Sequence, residues 1–309
     1  MMTRYKMRIV FAGSPEYAVP ALRAVQERFG VAAVITQPDK PVGRKKILTP
    51  TPVKFEAQKL NIPVYDFDKI RNHVDEVKSL DADIMITCAY GQLLTQEVLD
   101  CFEKGVWNLH ASLLPKFRGA SPIQSAILAG ESHTGVTVMR TELALDSGDI
   151  LLVKRCETGD KNCAELSEVL SGLSAEAAVE AVELIEKGNV QLLMQDEAKV
   201  TFCKKIKKDD GKIDFSHSPR DICRLIRAMN PDPLAFCLQN GTVLNILRAT
   251  AVEGEGEIGT VICADKKGVV VACGGGAVRI EELQPAGGKV MKAADYVNGR
   301  KIKAGDKLD

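Results

Sequence analysis

Three polar side chains in the middle of the chain could together carry out acyl transfer. Asn108 and His110 are two residues apart at the end of an apolar, strand-like run, and Asp146 lies in a polar turn between two later strand-like runs. A neutral amide can hold a carbonyl oxygen as it becomes an oxyanion, an imidazole can donate to that oxygen or move protons, and a carboxylate can set the charge state of the imidazole. These residue types suit the transfer of an acyl group to an amine.

The same segment offers no covalent nucleophile. Ser112 lacks the Gly-x-Ser-x-Gly turn that exposes a catalytic serine, and no cysteine adjoins His110 in the sequence. A structural alternative stays open at this point, because Asn and Asp are common in turns and a single histidine is often a hydrogen-bonded structural residue. We interpret His73, His133 and His217 in that way, as structural or exposed residues.

The elements that must position these side chains alternate between strand-like and helix-like segments. Such alternation predicts an α/β domain with a Rossmann-like, mostly parallel sheet. Open sheets of this kind bind ligands at the carboxyl ends of their strands, where Asn108 and His110 would point to the same side and act on one atom. The predicted strands are 7–13, 31–36, 81–91, 105–110, 134–140 and 149–157, and a helix over 164–187 closes the domain.

After Gly188 the sequence changes to short alternating runs divided by glycines, which predicts a small antiparallel sheet or barrel. A length of 309 residues fits two domains of ordinary size. We therefore predict a catalytic domain over 1–188, a polar, lysine-rich linker over 189–208 and a C-terminal OB-like β-barrel domain over 209–309.

The turn Gly13-Ser14-Pro15-Glu16 follows the first strand, where dinucleotide-binding proteins carry Gly-x-Gly-x-x-Gly. Only the first glycine is present, and Pro15 hinders the close approach of a backbone amide to a pyrophosphate. The sequence therefore disfavours an NAD site, although the start of the following helix could contact a substrate phosphate.

Composition limits the location and the partners of the chain. Hydrophobic residues make up 45% and charged residues 27%, as in ordinary globular proteins, and no run approaches the roughly 18 apolar residues that cross a bilayer. We predict a cytoplasmic protein whose nine cysteines are buried and reduced, since they form no Cys-x-x-Cys pair.

The formal net charge is zero, so any binding of nucleic acid must depend on local basic clusters. Two exist: Lys40 with Arg44, Lys45 and Lys46, and Lys204 with Lys205, Lys207 and Lys208.

Residues 107–149 resemble the motif of the 10-formyltetrahydrofolate-dependent transferases. Asn-x-His at 108–110 is followed by Ser-Leu-Leu-Pro at 112–115, by Arg-Gly and by Leu-Asp-x-Gly-Asp at 145–149, in the order and spacing of that family. The resemblance implies direct attack of a substrate amine on the formyl carbon, without a formyl-enzyme and without a metal. Asn108 and His110 would stabilise the oxyanion, and Asp146 would support proton removal through His110 or a water.

The resemblance also implies a pocket for the formyl donor, 10-formyltetrahydrofolate. Two short stretches would line it, one after each of two neighbouring strands. Their residues are Ser112, Leu113, Leu114 and Pro115 in the first and Ala89, Tyr90 and Gly91 in the second.

The basic loop at 37–54 points to the acceptor. Some family members formylate the methionyl group of initiator tRNA and insert a loop into the acceptor end of that tRNA. Residues 37–54 resemble this loop, with Arg44 in the position of its key arginine and Lys45 and Lys46 beside it. Segments 226–236 and 282–299 resemble the C-terminal barrel of the same members. The implied partners are methionyl initiator tRNA and folate, phosphate contacts would make the tRNA binding salt-dependent, and we expect a monomer.

Four positions depart from the family pattern. Ala111 and Ala144 stand where most relatives have proline and glycine, and Asp232 and Leu234 replace the usual tryptophan and glycine of the barrel motif. The last two put the expected tRNA contacts there in doubt, not the chemistry. Two alternatives remain open: a formyltransferase of this family acting on a small-molecule or sugar amine, and a non-catalytic RNA-binding protein on the same scaffold.

Overall fold

The computed structural model describes residues 7–43 and 45–309, and these form two compact units. The first contains the described residues up to Pro122 together with His133–Glu157 and Ser167–Cys203. The second contains Ile123–Ser132, Thr158–Leu166 and Lys204–Asp309. Residues 189–203, the larger part of the predicted linker, thus belong to the first unit. The domain limits themselves remain a prediction.

The first part of the chain alternates strands and helices as predicted. Its strands are β1 (Ile9–Gly13), β2 (Ala33–Thr36), β3 (Lys40–Val42), β4 (Ile47–Thr49), β5 (Val64–Asp66), β6 (Ile84–Cys88), β7 (Val106–His110), β8 (Arg118–Gly119), β9 (His133–Arg140), β10 (Ile150–Glu157) and β11 (Phe202–Cys203). Its helices are α1 (Val19–Phe29), α2 (Pro52–Lys59), α3 (Val74–Ser79), α4 (Gln96–Leu99), α5 (Pro122–Leu128) and α6 (Cys163–Glu186).

Seven strands form the central sheet in the order β10-β9-β7-β6-β1-β2-β5. The five strands from β7 to β5 are parallel, and β9 and β10 join antiparallel at one edge. Every residue of β1 and β6 is buried, as expected for central parallel strands covered on both faces. The predicted mostly parallel, Rossmann-like sheet is confirmed, and its order brings the carboxyl ends of β1, β6 and β7 side by side.

Capping residues fix where α2 begins. Thr51 precedes the helix, and its hydroxyl accepts a hydrogen bond from the amide of Lys54 at 3.1 Å. Pro52 occupies the first helical position, where its missing N–H costs nothing. The sequence Thr-Pro therefore starts this helix directly after the basic hairpin of β3 and β4.

The second unit is built on an antiparallel sheet. Its remaining elements are α7 (Pro219–Met229), β12 (Ala235–Gln239), β13 (Thr242–Val252), β14 (Val261–Asp265), β15 (Gly268–Cys273), β16 (Gly276–Pro285), β17 (Met291–Lys292) and α8 (Ala293–Asn298). The strand order is β12-β13-β16-β15-β14, with β17 paired to β16. The predicted antiparallel C-terminal domain is confirmed.

The last residues of the chain connect the two edges of this sheet. Asp309 exchanges two backbone hydrogen bonds with Leu238 of β12, and the amide of Leu308 donates to the carbonyl of Gly259, just before β14. Hydrogen bonding thus continues from β12 through the terminal segment towards β14, as in a closed barrel. The Leu308 side chain is almost completely buried in the core beneath.

Leu234, one of the departures from the family pattern, has a φ of +74°, a conformation that glycine adopts at lower cost. Its amide donates to the carbonyl of Met229 at 2.9 Å, which ends α7 against the start of β12. The structure therefore keeps a glycine-like turn with a leucine.

None of the nine cysteines forms a disulfide bond. The prediction that they are buried is confirmed for five of them and wrong for the other four, which are only partly buried: Cys101, Cys156, Cys223 and Cys263. Among the described residues there is no helix with both the length and the apolar character needed to span a bilayer.

Candidate active site

The carboxyl ends of three neighbouring strands provide the predicted site residues. β7 ends at His110, and β6 next to it ends at Cys88, followed by the predicted folate-lining residues. β1 ends at Gly13, paired with Cys88. Asn108, His110 and the two predicted folate-lining stretches therefore start from one edge of the sheet, as the topology of open α/β sheets requires. Asp146 comes instead from the loop between β9 and β10.

Thr87 fixes the side chain of Asn108. The two residues are register partners on β6 and β7, and the Thr87 hydroxyl donates to Asn108 Oδ1 at 2.9 Å. Because the amide oxygen is the acceptor in this bond, the Nδ2 group is the part of Asn108 that can donate to another group. An amide donor at this edge is what an oxyanion needs.

His110 is buried and held through one ring nitrogen. Its Nε2 lies 2.9 Å from the backbone oxygen of Phe117. A carbonyl oxygen can only accept, so Nε2 carries a proton and donates it there. The other ring nitrogen, Nδ1, faces Asp146 at 3.7 Å from Oδ2. This nitrogen is the atom of His110 through which a proton can be donated or taken up.

Asp146 reaches the histidine from the loop between β9 and β10. Its side chain is only 10% exposed, and its Oδ2 accepts the backbone amide of Gly119 at 2.7 Å. The residue has a φ of +49°, in the left-handed region that costs a non-glycine residue energy. The structure thus brings His110 and Asp146 together, and Asn108 lies on the same side of β7 as His110.

The short pair of β8 and β11 places the amide that binds Asp146. Gly119 in β8 has a φ of +124°, and a Cβ atom there would lie 2.3 Å from the backbone oxygen of Cys203 in β11. Only glycine fits this position. Phe117, whose carbonyl holds His110, is itself held by a 2.8 Å hydrogen bond from its amide to the Thr201 hydroxyl.

The Ser112–Pro115 stretch is held from inside. The Ser112 hydroxyl is completely buried and donates to the carbonyl of Lys116 at 2.6 Å. Thr137 in β9 donates to the carbonyl of Ser112 and accepts the amide of Leu114. The Ser112 side chain therefore stabilises the turn. Leu113 and Pro115 are the partly exposed residues of the stretch.

The second folate-lining stretch is held through a backbone oxygen. The Tyr90 carbonyl accepts hydrogen bonds from the Ser14 hydroxyl at 3.3 Å and from Gln37 Nε2 at 2.8 Å. Ala89 and Gly91 are exposed and have positive φ angles, whereas the Tyr90 ring is buried. This geometry links the ends of β1, β2 and β6.

Cys88 is the thiol nearest to this stretch along the chain. Burial raises the pKa of Cys88 to about 12, and burial also raises the pKa of the Tyr90 phenol. The Cys88 thiol therefore stays protonated at neutral pH and is a poor nucleophile.

The basic loop forms the hairpin of β3 and β4. Lys45 and Lys46 at its turn are exposed, and so are the apolar side chains of Val42, Ile47 and Leu48. Arg44 lies outside the described residues. The structure gives no contact between this hairpin and His110 or Asp146 among the residues that it describes.

Sequence reasoning missed several groups that hold the predicted residues. A polar residue in the middle of an apolar strand was the available signal for Thr87. The carbonyl of Phe117 and the amide of Gly119 had no signal of their own, since backbone groups occur at every position. Gln195, whose Nε2 donates to the backbone oxygens of Asp146 and Gly148, lies in the segment predicted to be a linker.

Comparison with known proteins identifies the family of the chain. Residues 7–182 match the family model described as formyl transferase, and residues 205–301 match the one described as formyl transferase, C-terminal domain. A methionyl-tRNA formyltransferase of Neisseria meningitidis is 42% identical over 98% of this chain and 100% of its own length. One of Coxiella burnetii is 41% identical over 98% of this chain and 97% of its own length.

Solved structures share the fold at low sequence identity. A methionyl-tRNA formyltransferase from Clostridium thermocellum aligns with a TM-score of 0.57 at 16% identity, over 81% of this chain and 95% of that one. The sugar 3N-formyl transferase WlaRD aligns with a TM-score of 0.68 at 18% identity, over 91% and 98%. These two structures support the fold alone. The family models and the close relatives go further, and by them the chain belongs to the formyl transferase family, among its methionyl-tRNA formyltransferases.

Proposed function

We propose that this protein transfers the formyl group of 10-formyltetrahydrofolate to the α-amino group of methionyl initiator tRNA, with Asn108, His110 and Asp146 as catalytic residues. The observation that carries this assignment is the buried His110–Asp146 pair at the carboxyl edge of the sheet, with the Asn108 amide on the same side of β7. This is the arrangement that acyl transfer to an amine requires.

The reaction begins with the neutral amine, whose lone pair forms a bond to the formyl carbon. The electrons of the carbonyl bond move to its oxygen, which becomes an oxyanion in a tetrahedral intermediate. An α-amine has a pKa of about 8, so a useful fraction is neutral near pH 7. Asn108 Nδ2 donates to the oxyanion, since Thr87 occupies the amide oxygen of Asn108.

His110 acts through Nδ1, because Nε2 is engaged with the Phe117 carbonyl. A protonated Nδ1 donates to the oxyanion and strengthens its stabilisation. Holding the ring at Nε2 fixes its plane before substrates bind, so little reorganisation is needed when charge develops.

Asp146 takes part in removing the proton that the attacking nitrogen loses. Its carboxylate is 3.7 Å from His110 Nδ1, a distance at which a small shift or one water completes a proton path. The tetrahedral intermediate then collapses: the bond from the formyl carbon to N10 of the folate breaks, N10 takes up a proton, and tetrahydrofolate leaves.

The donor and acceptor would meet at this edge from two sides. For the folate we propose the stretches Ser112–Pro115 and Ala89–Gly91, of which Ala89, Gly91, Leu113 and Pro115 are open to a ligand. For the tRNA we propose the hairpin with Arg44, Lys45 and Lys46. We also propose that the protein is a cytoplasmic monomer and that its two domains are divided near residues 188–208.

Formylation by the His110→Ala and Asp146→Asn variants tests the catalytic assignment. Removing a residue that acts on the reacting atoms should lower single-turnover formylation of methionyl initiator tRNA by about a hundredfold to ten-thousandfold. Wild-type rates in either variant would show that the assigned roles are wrong. Far-ultraviolet circular dichroism of both variants checks that the fold is intact.

The acceptor is tested separately, because WlaRD shows that this fold also occurs in a sugar formyl transferase. Charged initiator tRNA, charged elongator methionine tRNA and an amino sugar nucleotide are compared as acceptors. We expect the first to be formylated with the highest kcat/KM. Preference for the amino sugar would replace the proposed acceptor, and failure with every acceptor would favour the non-catalytic alternative.

A further inference from the structure

We propose that Gln195 is a positioning residue for the loop between β9 and β10, the catalytic loop. It holds this loop, and with it Asp146, in the conformation that the reaction needs. The inference rests on the proposed function, since it assigns Gln195 a role through Asp146. Gln195 lies 49 residues after Asp146, in a segment whose sequence suggests only a linker.

One amide group of Gln195 binds the loop at two points. Its Nε2 donates to the backbone oxygen of Asp146 at 2.9 Å and to that of Gly148 at 2.8 Å. An amide nitrogen has two hydrogens, so each carbonyl receives one of them. These bonds fix the backbone on both sides of Ser147 and thereby limit the position of the Asp146 side chain.

A buried arginine fixes Gln195 in turn. Arg118 is 5% exposed at its side chain, and its Nε and Nη2 donate to Gln195 Oε1 at 3.1 and 2.9 Å. The same guanidinium pairs with Glu197 at 2.7 Å. Since guanidinium groups only donate, the amide oxygen of Gln195 must face Arg118, and its Nε2 must face the loop.

Arg118 and its neighbour Gly119 thus hold both parts of Asp146. The Gly119 amide binds the carboxylate directly, and the Arg118 side chain binds the backbone through Gln195. A single rigid segment therefore sets the distance from the carboxylate to His110.

The loop needs such support for two reasons. Asp146 has a φ of +49°, which an isolated loop would leave for a more favourable conformation. The preceding residues 142–145 are exposed, so little packing restrains them.

The test compares Gln195→Ala, which removes the amide, with Gln195→Glu, which keeps the contact to Arg118 but cannot donate to the two carbonyls when ionised. Both variants should lower kcat by about tenfold to a hundredfold, the effect of misplacing a reacting group by up to about 1 Å. KM for 10-formyltetrahydrofolate and for methionyl initiator tRNA should stay within about twofold. Gln191→Ala, an exposed glutamine in the same segment, is the matched control and should keep the wild-type kcat.

A double-mutant cycle separates positioning from general structural damage. If Gln195 acts through Asp146, then Gln195→Ala should have almost no further effect on kcat in an Asp146→Asn background. Equal losses in both backgrounds would overturn the proposal, as would an unchanged kcat in both Gln195 variants. An active Asp146→Asn variant would instead contradict the proposed function, so the two failures are distinguishable.

Discussion

At the scale of single residues, the site depends on which atom of each side chain is already in use. Thr87 engages the oxygen of Asn108, the Phe117 carbonyl engages Nε2 of His110, and the Gly119 amide engages Oδ2 of Asp146. Each contact leaves a defined atom for the proposed reaction: an amide donor on Asn108, Nδ1 of His110 and the remaining lone pairs of the Asp146 carboxylate. Preorganisation of this kind lowers the reorganisation that the transition state requires.

Thr87→Val tests this preorganisation, because valine has nearly the shape of threonine without the hydroxyl that holds Asn108. We expect kcat for formylation to fall about tenfold, since Asn108 can then rotate away from the oxyanion. Steady-state kinetics with methionyl initiator tRNA measure the effect. Thr87→Ser retains the hydroxyl and should restore most of the rate, and full activity of Thr87→Val would show that Asn108 needs no such contact.

At the scale of elements, two strands of only two residues each help to position the candidate site. The two-residue strands β8 and β11 pair in parallel and bring the end of the first unit's chain beside the site. This pair explains why Gly119 has no room for a side chain. It also brings the segment that contains Gln195 close to the loop that carries Asp146. In the second unit, the terminal residues also pair over a short distance, and they connect β12 to the start of β14.

Leu308→Ala tests the closing contact of the second unit. Leu308 is 1% exposed, and truncating a buried leucine costs about 2–5 kcal/mol. We expect the unfolding transition that reports on the second unit to move to lower temperature in calorimetry, while the transition of the first unit stays in place. The exposed Lys303→Ala serves as a control, and a loss below about 1 kcal/mol would mean that the terminal segment is not needed for closure.

At the scale of the whole molecule, a net charge of zero means that the proposed tRNA binding must depend on local clusters of basic residues. With 41 basic and 41 acidic residues, the protein has no net attraction for RNA. Attraction must therefore come from clusters such as the exposed lysines of the β3–β4 hairpin. Exposed apolar residues beside them would supply contact area that does not depend on salt.

The salt dependence of tRNA binding checks this assignment. Each phosphate contact that Lys45 or Lys46 makes contributes about 0.7–0.9 to the slope of log K against log salt. The double variant Lys45→Ala/Lys46→Ala should therefore reduce the slope by about 1.5, while its hydrolysis of free 10-formyltetrahydrofolate stays at the wild-type rate. Lys69→Ala/Lys78→Ala, two exposed lysines outside the hairpin, should leave the slope unchanged. Equal slopes for both doubles would exclude the hairpin as a phosphate-binding site.

The sequence by itself determined the alternating α/β pattern, the antiparallel second domain and the family. Periodicity encodes the first two features, because strand and helix faces repeat every two or 3.6 residues. The family followed from the resemblance of residues 107–149 to its motif. The spacing of Asn108 and His110 also predicted that both side chains lie on one side of a strand end. The structure confirms that both residues belong to the end of β7 and that β7 lies inside the sheet.

Only the tertiary structure decided how the site is held. Thr87, Gly119 and Gln195 reach Asn108 and Asp146 from 21, 27 and 49 residues away. No local periodicity predicts such contacts, since they depend on the strand order, on the β8–β11 pair and on backbone groups that every residue has. The physical reason is that a hydrogen bond requires a distance near 3 Å between two particular atoms, and only the packed chain sets that distance.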